Sequence, residues 1–406
     1  MRRPLRYSPT ARRGFTLVEL LVSVALCIMI MAILATAFSI ALDTLSLLKS
    51  IATLTKEQQA ANTIMTRDFE AQHLEGPAGE TVRVSDSFVA TQAWSGNELK
   101  GFLRVRQGSV VRQDTSSSLP NGSYPTYPRH TTAAPVPVPP YDQANYPYLL
   151  EGFDSDNIPS YRATDHSVHL TVKLSGKTQQ DSFATTRPAT MSNLPSLVDQ
   201  NPLGTQFVTK WAEVAYFLKP TTGLQTTVTD NGLPGLTLYT LYRRQRVLAP
   251  IDATVTTSPV TPVNYMNANA DFAMIQSAAT TVTAVTPATI TTAANRLNLD
   301  QAANNLPSYP NTMAEYGSDV LLTNVVSMQI RLIVDPVPTL FANDATNPQL
   351  AIPVNPAIPA WFYDTASATP LAAGVAKPRP RGIQIKLRIY DPKNRQTRQM
   401  NLTFAL

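Results

Sequence analysis

Cysteine is nearly absent from this chain: one in 406 residues, Cys27. No internal disulfide can staple it, and a Cys-x-x-Cys redox or zinc site has nothing to build on. Histidine is almost as scarce, with His73, His130, His166 and His169 making up the full set of four. Walker A, Gly-x-Ser-x-Gly and His-Glu-x-x-His patterns are missing as well, so the sequence offers no signature of nucleotide, acyl-transfer or zinc-protease chemistry. Glycine and proline are absent from Phe15 to Glu75, and acidic residues are absent from Met1–Gly14. Elsewhere proline is plentiful, 33 against 16 glycines, with many Thr, Ala and Asn. That balance suits a β-rich body with long loops, and about 330 residues are enough to bury a core without staples.

The formal charge of +5 and the pI of about 9.2 invite a nucleic-acid reading. Five of the positive charges are Arg2, Arg3, Arg6, Arg12 and Arg13, so without residues 1–14 the remainder is formally neutral. Nucleic acid is therefore not an expected partner. The arginines act instead on orientation, because positive flanks stay cytoplasmic. Everything after about Leu42 is expected on the far side.

From Phe15 to Leu42 the chain is apolar for 28 residues, more than the ~20 that span a bilayer core. It exceeds the ~7–15 residues of a signal-peptide core, and no Ala-x-Ala site follows it. One acid, Glu19, sits near its start, where a charge is costly and marks function. A helix unbroken from Phe15 to Glu75 would be ~90 Å long, with Gly76-Pro77 as its stop. Its second half is amphipathic. Leu47, Ile51, Leu54, Ala61, Met65 and Phe69 recur at helical spacing, and Lys56, Glu57, Arg67 and Asp68 fill the other faces. A plain uncleaved signal anchor would account for the apolar run, but not for Gly14-Phe15 and Glu19 placed together at its cytoplasmic edge.

Residues 12–23, Arg-Arg-Gly-Phe-Thr-Leu-Val-Glu-Leu-Leu-Val-Ser, resemble the class III leader and amino-terminal helix of type IV pilins and type II secretion pseudopilins. The resemblance implies cleavage by a prepilin peptidase between Gly14 and Phe15, methylation of the new amino-terminal Phe15, and Glu19 as the fifth mature residue. It further implies that Glu19 is neutralised by the amine of a neighbouring subunit's Phe15, which sets axial register. An unpaired carboxylate in an apolar filament core would cost several kcal/mol. Many pilins carry a helix breaker at the position of Thr36, and this chain does not. The implied parts are a leader at 1–14, a transmembrane half-helix at 15–42, an amphipathic half at 43–75 and an exported head at 76–406.

The head reads as strands. Val168, Leu170, Val172 and Leu174 alternate with polar residues, as do Val326–Val334 and Ile383–Ile389, and Val208–Leu218 and Leu236–Arg246 are longer candidates. Asp391-Pro392-Lys393-Asn394 is a turn, so Ile383–Leu406 is a terminal hairpin. Residues 120–147, rich in Pro and Tyr, and 258–295, rich in Thr and Ala, bury too little apolar area to order themselves and are expected as exposed loops. The fold class is α+β, a long helix packed on an antiparallel sheet. The order of the strands around Trp211, Leu238, Leu321 and Ile383 resembles the J-type minor pseudopilin. It is also similar to expanded pilin-like proteins of the Verru_Chthon cassette group.

Other candidate chemistry is sparse. His166 and His169 lie three apart in a strand, so they face opposite sides and do not converge on a metal; exposed positions are expected for both. Asp154, Asp156 and Asn157 alternate oxygen ligands as a calcium loop does, without its Gly and bidentate Glu. A solvated acidic loop is the simpler reading, and no cofactor is expected. Lys377, Arg379, Arg381, Lys386, Arg388, Lys393, Arg395 and Arg398 make the carboxyl-terminal stretch basic, which suits an anionic partner or the solvated face of an edge strand; the solvated face is favoured. The expectation is a non-catalytic minor pseudopilin-like subunit, anchored once in the inner membrane with its head periplasmic or extracellular. Its partners would be prepilin peptidase and other pilin-like subunits. The alternatives are a minor type IV pilin for adhesion or DNA uptake, or a single-pass anchored periplasmic binding protein or enzyme.

Overall fold

The computed structural model describes residues 16–84, 99–107, 150–153, 159–161, 166–176, 181–188, 191, 194, 206–221, 227–228, 236–257, 266, 269, 271–292, 295–297, 318–335, 341–343, 351–353, 361–366, 379–392 and 396–406. Two compact units divide between Lys56 and Glu57. Helix α1 is Leu17–Glu70, 54 residues without a break. Thr16 starts it: the Thr16 hydroxyl accepts the Glu19 N–H at 3.3 Å, and its carbonyl accepts the Leu20 N–H at 3.1 Å. Thr followed three residues later by Glu is the sequence of a capping box. The helix also passes straight through Thr36, whose hydroxyl folds back onto the carbonyls of Ala32 and Ile33.

Glu70 ends α1 before the Gly76-Pro77 stop is reached. Tertiary pairing accounts for the early end. The Gln72 carbonyl accepts the Lys173 N–H at 2.7 Å, and Leu74–Glu75 is already a strand. The chain is thus claimed by the sheet within two residues of leaving the helix.

The second unit is built on eight antiparallel strands. In chain order they are β1 (Leu103–Gln107), β2 (Ser167–Lys173), β3 (Trp211–Pro220), β4 (Tyr239–Val247), β8 (Ser318–Asp335), β9 (Trp361–Asp364), β10 (Arg379–Asp391) and β11 (Gln396–Ala405). Between β4 and β8 lie β5 (Thr254–Thr256), β6 (Met274–Ala278) and β7 (Thr281–Ala284), which form their own sheet in the order β5-β7-β6. The large sheet runs β9-β1-β2-β3-β4-β8-β10-β11. It is a meander except for β9, which crosses to pair outside β1. The expected α+β class and terminal hairpin are both present.

Register assigns the two faces. Val168, Leu170 and Val172 of β2 pair with Tyr216, Val214 and Ala212 of β3, and Tyr216 pairs with Arg243 of β4. These residues look toward the last turns of α1. Phe69 stacks on Phe404 at 4.7 Å and on Tyr216 at 5.7 Å, and Ala61, Met65 and Phe69 are buried with it. The opposite face carries His169, Thr171, Glu213, Ala215 and Phe217, and it is buried too. Simple alternation had left that face to solvent.

The cover on the second face comes from the stretch read as a loop at 258–295. Within it, residues 271–292 contain β6, β7 and a 3-10 turn at Thr289–Thr291. Ala273, Val285 and Ile290 pack with Phe102 and Leu248 against Trp211, and Leu297 packs on Ala215 and Phe217. Composition misled here because threonine and alanine dominate the count, while Phe272, Ala273, Met274, Val282, Ala284, Val285 and Ile290 are the apolar residues that become buried. The companion expectation, a loop at 120–147, lies outside the described residues. Val208–Leu218 is divided at Lys210 between β3 and a short strand, Gln206–Thr209, that joins a different sheet with Phe183–Thr186.

Gly101, just before Phe102, passes close to the backbone of His73. Its φ is +89°, and a Cβ there would lie 2.2 Å from the His73 carbonyl oxygen, so only glycine fits.

Candidate functional site

The first unit offers one surface: the apolar flank of α1. Large apolar side chains from Leu17 to Leu48 are exposed within this chain, and the most apolar 18-residue stretch has a mean hydropathy of 2.8. This is one helix long and apolar enough to cross a membrane. Three of its hydroxyls bond to the helix's own backbone. Ser23, Thr36 and Thr44 donate to carbonyls one turn back at 2.8 Å, as hydroxyls in an apolar medium must. Cys27 is exposed on the same surface.

Glu19 lies in the first turn, where the helix dipole favours a carboxylate. Its backbone N–H is capped by Thr16, while the residue itself is exposed. The charge is therefore available to an external cation. Gly14 and Phe15, the expected processing pair, lie outside the described residues, as do Asp154, Asp156 and Asn157.

The second unit holds two buried charge networks, one on each face of the sheet. On the helix face Asp68 is fully buried. One carboxylate oxygen accepts Arg243 Nε at 2.6 Å and the Tyr216 hydroxyl at 2.7 Å; the other accepts Arg67 Nη2 at 3.1 Å. Asp319 stands 3.6 Å from Arg243 Nη1. Burial pushes the Tyr216 phenol well above its usual range, and Asp68 adds to this, so Tyr216 remains a donor. Burial disfavours the Arg243 charge, but Asp68 outweighs it and the guanidinium is held more firmly protonated.

His73 continues this seam just beyond α1. Its ring nitrogens lie 2.8 Å from the Thr171 carbonyl and 3.1 Å from the Phe69 carbonyl. Burial lowers its pKa despite those acceptors. Glu75 takes Lys100 at 2.7 Å and also Lys173. Burial raises the Glu75 carboxyl, but the two lysines outweigh it and hold the group below its ordinary value.

On the far face Glu213 is the hub. His169 Nε2 and the Leu297 N–H both reach Oε1 at 2.7 Å, and Arg246 Nε reaches Oε2 at 2.6 Å. Burial alone would raise the Glu213 pKa, yet Arg246, His169 and the Leu297 N–H bring it to about 2. Burial also depresses His169, more than Glu213 raises it. The neutral imidazole thus donates Nε2–H. Phe102 meets it edge-on at 4.7 Å, and Arg296 lies over the Phe102 ring at 4.1 Å while bonding Asp364 at 2.6 Å.

A histidine oriented by a carboxylate is part of an acid–base relay. Among the described residues no hydroxyl or thiol is hydrogen-bonded to His169, and the His169–Glu213 pair is buried. Among the described residues no group of three or more His, Cys, Asp and Glu could hold a metal ion.

Several expectations need correcting. Asp68 is not on a solvent face. It is one turn from Met65 in the stripe of Ala61 and Met65, and that spacing was the available signal. His169 is buried rather than exposed, and His166 accepts the Ile330 N–H at 3.0 Å. Lys386 is also buried, and its strand β10 is interior; the edge is β11. Tyr216, Glu213, Arg243 and Arg246 went unrecognised because their partners lie 33 to 175 residues away in the chain.

Residues 9–39 match the family described as the prokaryotic N-terminal methylation motif. No curated protein and no solved structure matches the chain. The motif and the long apolar helix together support a type IV pilin-like protein and are consistent with membrane anchoring.

Proposed function

We propose that this chain is a minor pseudopilin-like subunit of a type II secretion pseudopilus or a related filament. Prepilin peptidase cuts it after Gly14, Phe15 is methylated, and the helix then leaves the inner membrane for a fibre. The observation that carries the reading is the motif at residues 9–39 joined to a helix long and apolar enough to cross a membrane. Such a surface needs lipid or other helices of the same kind. An exposed carboxylate at Glu19 has a clear task in such a bundle: it takes the amine of an adjacent subunit's Phe15 and fixes register. The large head, with a second sheet layered on the first, favours a tip or priming position, where neighbours do not crowd it.

Mass spectrometry of the membrane-extracted protein tests the processing. A mature chain beginning at methyl-Phe15 is expected; an intact Met1, or a cut near Ala41, would overturn it. Cross-linking tests the minor role, which fails if the protein is found uniformly along fibres.

A further inference from the structure

We propose that residues 289–297 act as an acid-released strap on the far face of the large sheet, opening when His169 takes up a proton. The segment sets out from backbone that is firmly tied. The Ala249 N–H donates to the Val285 carbonyl at 2.9 Å, and the Gly101 N–H donates to the Pro287 carbonyl at 2.7 Å. Past Pro287 the anchorage changes. Among the described residues, no backbone–backbone hydrogen bond joins 289–297 to a strand of the large sheet.

The polar ties of the strap to other strands end on two carboxylates. The Leu297 N–H donates to Glu213 Oε1 on β3 at 2.7 Å, and Arg296 Nη1 donates to Asp364 Oδ2 on β9 at 2.6 Å. Arg296 Nε and Nη2 return to the strap's own Ile290 and Thr291 carbonyls. Apolar cover completes the closure, with Ile290 on Phe102 and Leu248 and Leu297 on Ala215 and Phe217.

His169 uses the same Glu213 oxygen that holds Leu297, with Nε2 also at 2.7 Å. Its Nδ1 is buried without a hydrogen-bond partner, and the Phe102 ring meets the imidazole edge-on at 4.7 Å. A proton on Nδ1 would create a buried N–H with nothing to accept it, a cost that water would remove. The charged groups around the imidazole are Arg104 on β1, Glu213 on β3, Arg246 on β4, Arg296 on the strap and Asp364 on β9. On the same face Arg244 is paired with Asp271, and Lys173 of β2 itself is paired with Glu75. Burial opposes a cationic imidazole most. Arg296 and Arg104 add to that, and Glu213, already bonded to Arg246, pulls the other way without prevailing.

The sign of the response follows. With the strap open, His169 meets water and titrates near its ordinary 6.5; with it closed, burial holds the value lower. The open form therefore binds the proton better, and opening grows as pH falls below 6.5. Glu213, held at about 2, keeps its charge throughout that range, so the change comes from the imidazole. Opening bares Ala215 and Phe217 while the helix face of the sheet stays packed. The strap belongs to the head, and its release is independent of how the chain is processed or assembled.

Hydrogen–deuterium exchange of the full chain in detergent, read by mass spectrometry at pH 7 and pH 5 and corrected for intrinsic exchange, tests this. Protection in peptides covering 286–297 is expected to fall several-fold at pH 5, up to the ~25-fold that one such proton allows. Peptides covering 383–389, in β10, should hold theirs. His169→Gln keeps an N–H for Glu213 but cannot titrate, so its strap should be equally protected at both pH values. His73→Gln, beside α1, should keep the wild-type response. Unchanged protection of the strap, an equal loss at 383–389, or a response that survives His169→Gln would overturn the proposal. The first two outcomes are read on the wild-type chain and need no variant.

Discussion

Replacing Asp68 by Ala should destabilise the head by about 3–5 kcal/mol, the usual cost of removing one side of a buried ion pair. The magnitude comes from what stays behind. Arg243 is left with its guanidinium 5% exposed and only Asp319, itself 70% exposed, at 3.6 Å. The buried Tyr216 hydroxyl loses its acceptor at 2.7 Å as well. For a unit of this size, unfolding entropy of ~2.1 cal/mol/K per residue turns that loss into a drop in Tm of roughly 4–7 °C. The assay is thermal unfolding of the detergent-solubilised full chain, followed by tryptophan fluorescence, since Trp211 lies on β3 of the same sheet. A companion variant, Asp68→Leu with Tyr216→Phe and Arg243→Met, removes the three buried polar members at similar volume and leaves only the exposed Arg67 and Asp319. It should recover most of the loss, because buried ion pairs often do no better than packed apolar groups. A shift below ~1 °C for Asp68→Ala, or a triple variant worse than the single one, would refute the claim that Asp68 matters through the charges it satisfies.

Phe69→Ala removes the ring stacked between Phe404 and Tyr216 and should cost about 3–5 kcal/mol in the same melt. Gly101→Ala forces a Cβ against the His73 carbonyl at positive φ and should cost at least ~2 kcal/mol, the scale of a strained backbone. Acid should weaken the head in two stages. His73 and His169 have folded pKa values below 6.5, so the unfolded chain binds their protons first and stability falls as pH drops below 6.5. Glu213, held at about 2 against 4.5, stabilises above pH 4.5 and loses that contribution between pH 4.5 and 2. Tm measured against pH should show both stages, and Glu213→Gln should flatten the lower one. Glu19→Ala should leave cleavage at Gly14 intact but deplete the protein from sheared filaments, measured by immunoblot; unchanged incorporation would remove Glu19 from assembly.

Helix α1 was legible in the chain because its causes are local. Sixty-one residues without Gly or Pro need no distant partner; the Thr16–Glu19 cap, equally local, was read only from the structure. Six of the eight strands of the large sheet were legible for a related reason, since period-two alternation marks at least one buried face; β1 and β9 were not. Asp68 and His169 were not legible. A charged residue in an apolar stripe reads as surface until its counter-charge is located, and Arg243 and Glu213 arrive from strands far along the chain. The layer at 271–292 was hidden for the same reason, because its threonines dominate composition while a handful of apolar contacts dominate its energy.

Local pattern and charge were therefore enough to settle the apolar helix, the acid near its start, the α+β class and the carboxyl-terminal hairpin. Tertiary structure alone decided that both faces of the sheet are covered and which polar groups neutralise one another in the core. It alone left β11 as the open edge. Pairing between strands tens or hundreds of residues apart is set by three-dimensional register, and no window along the chain contains it.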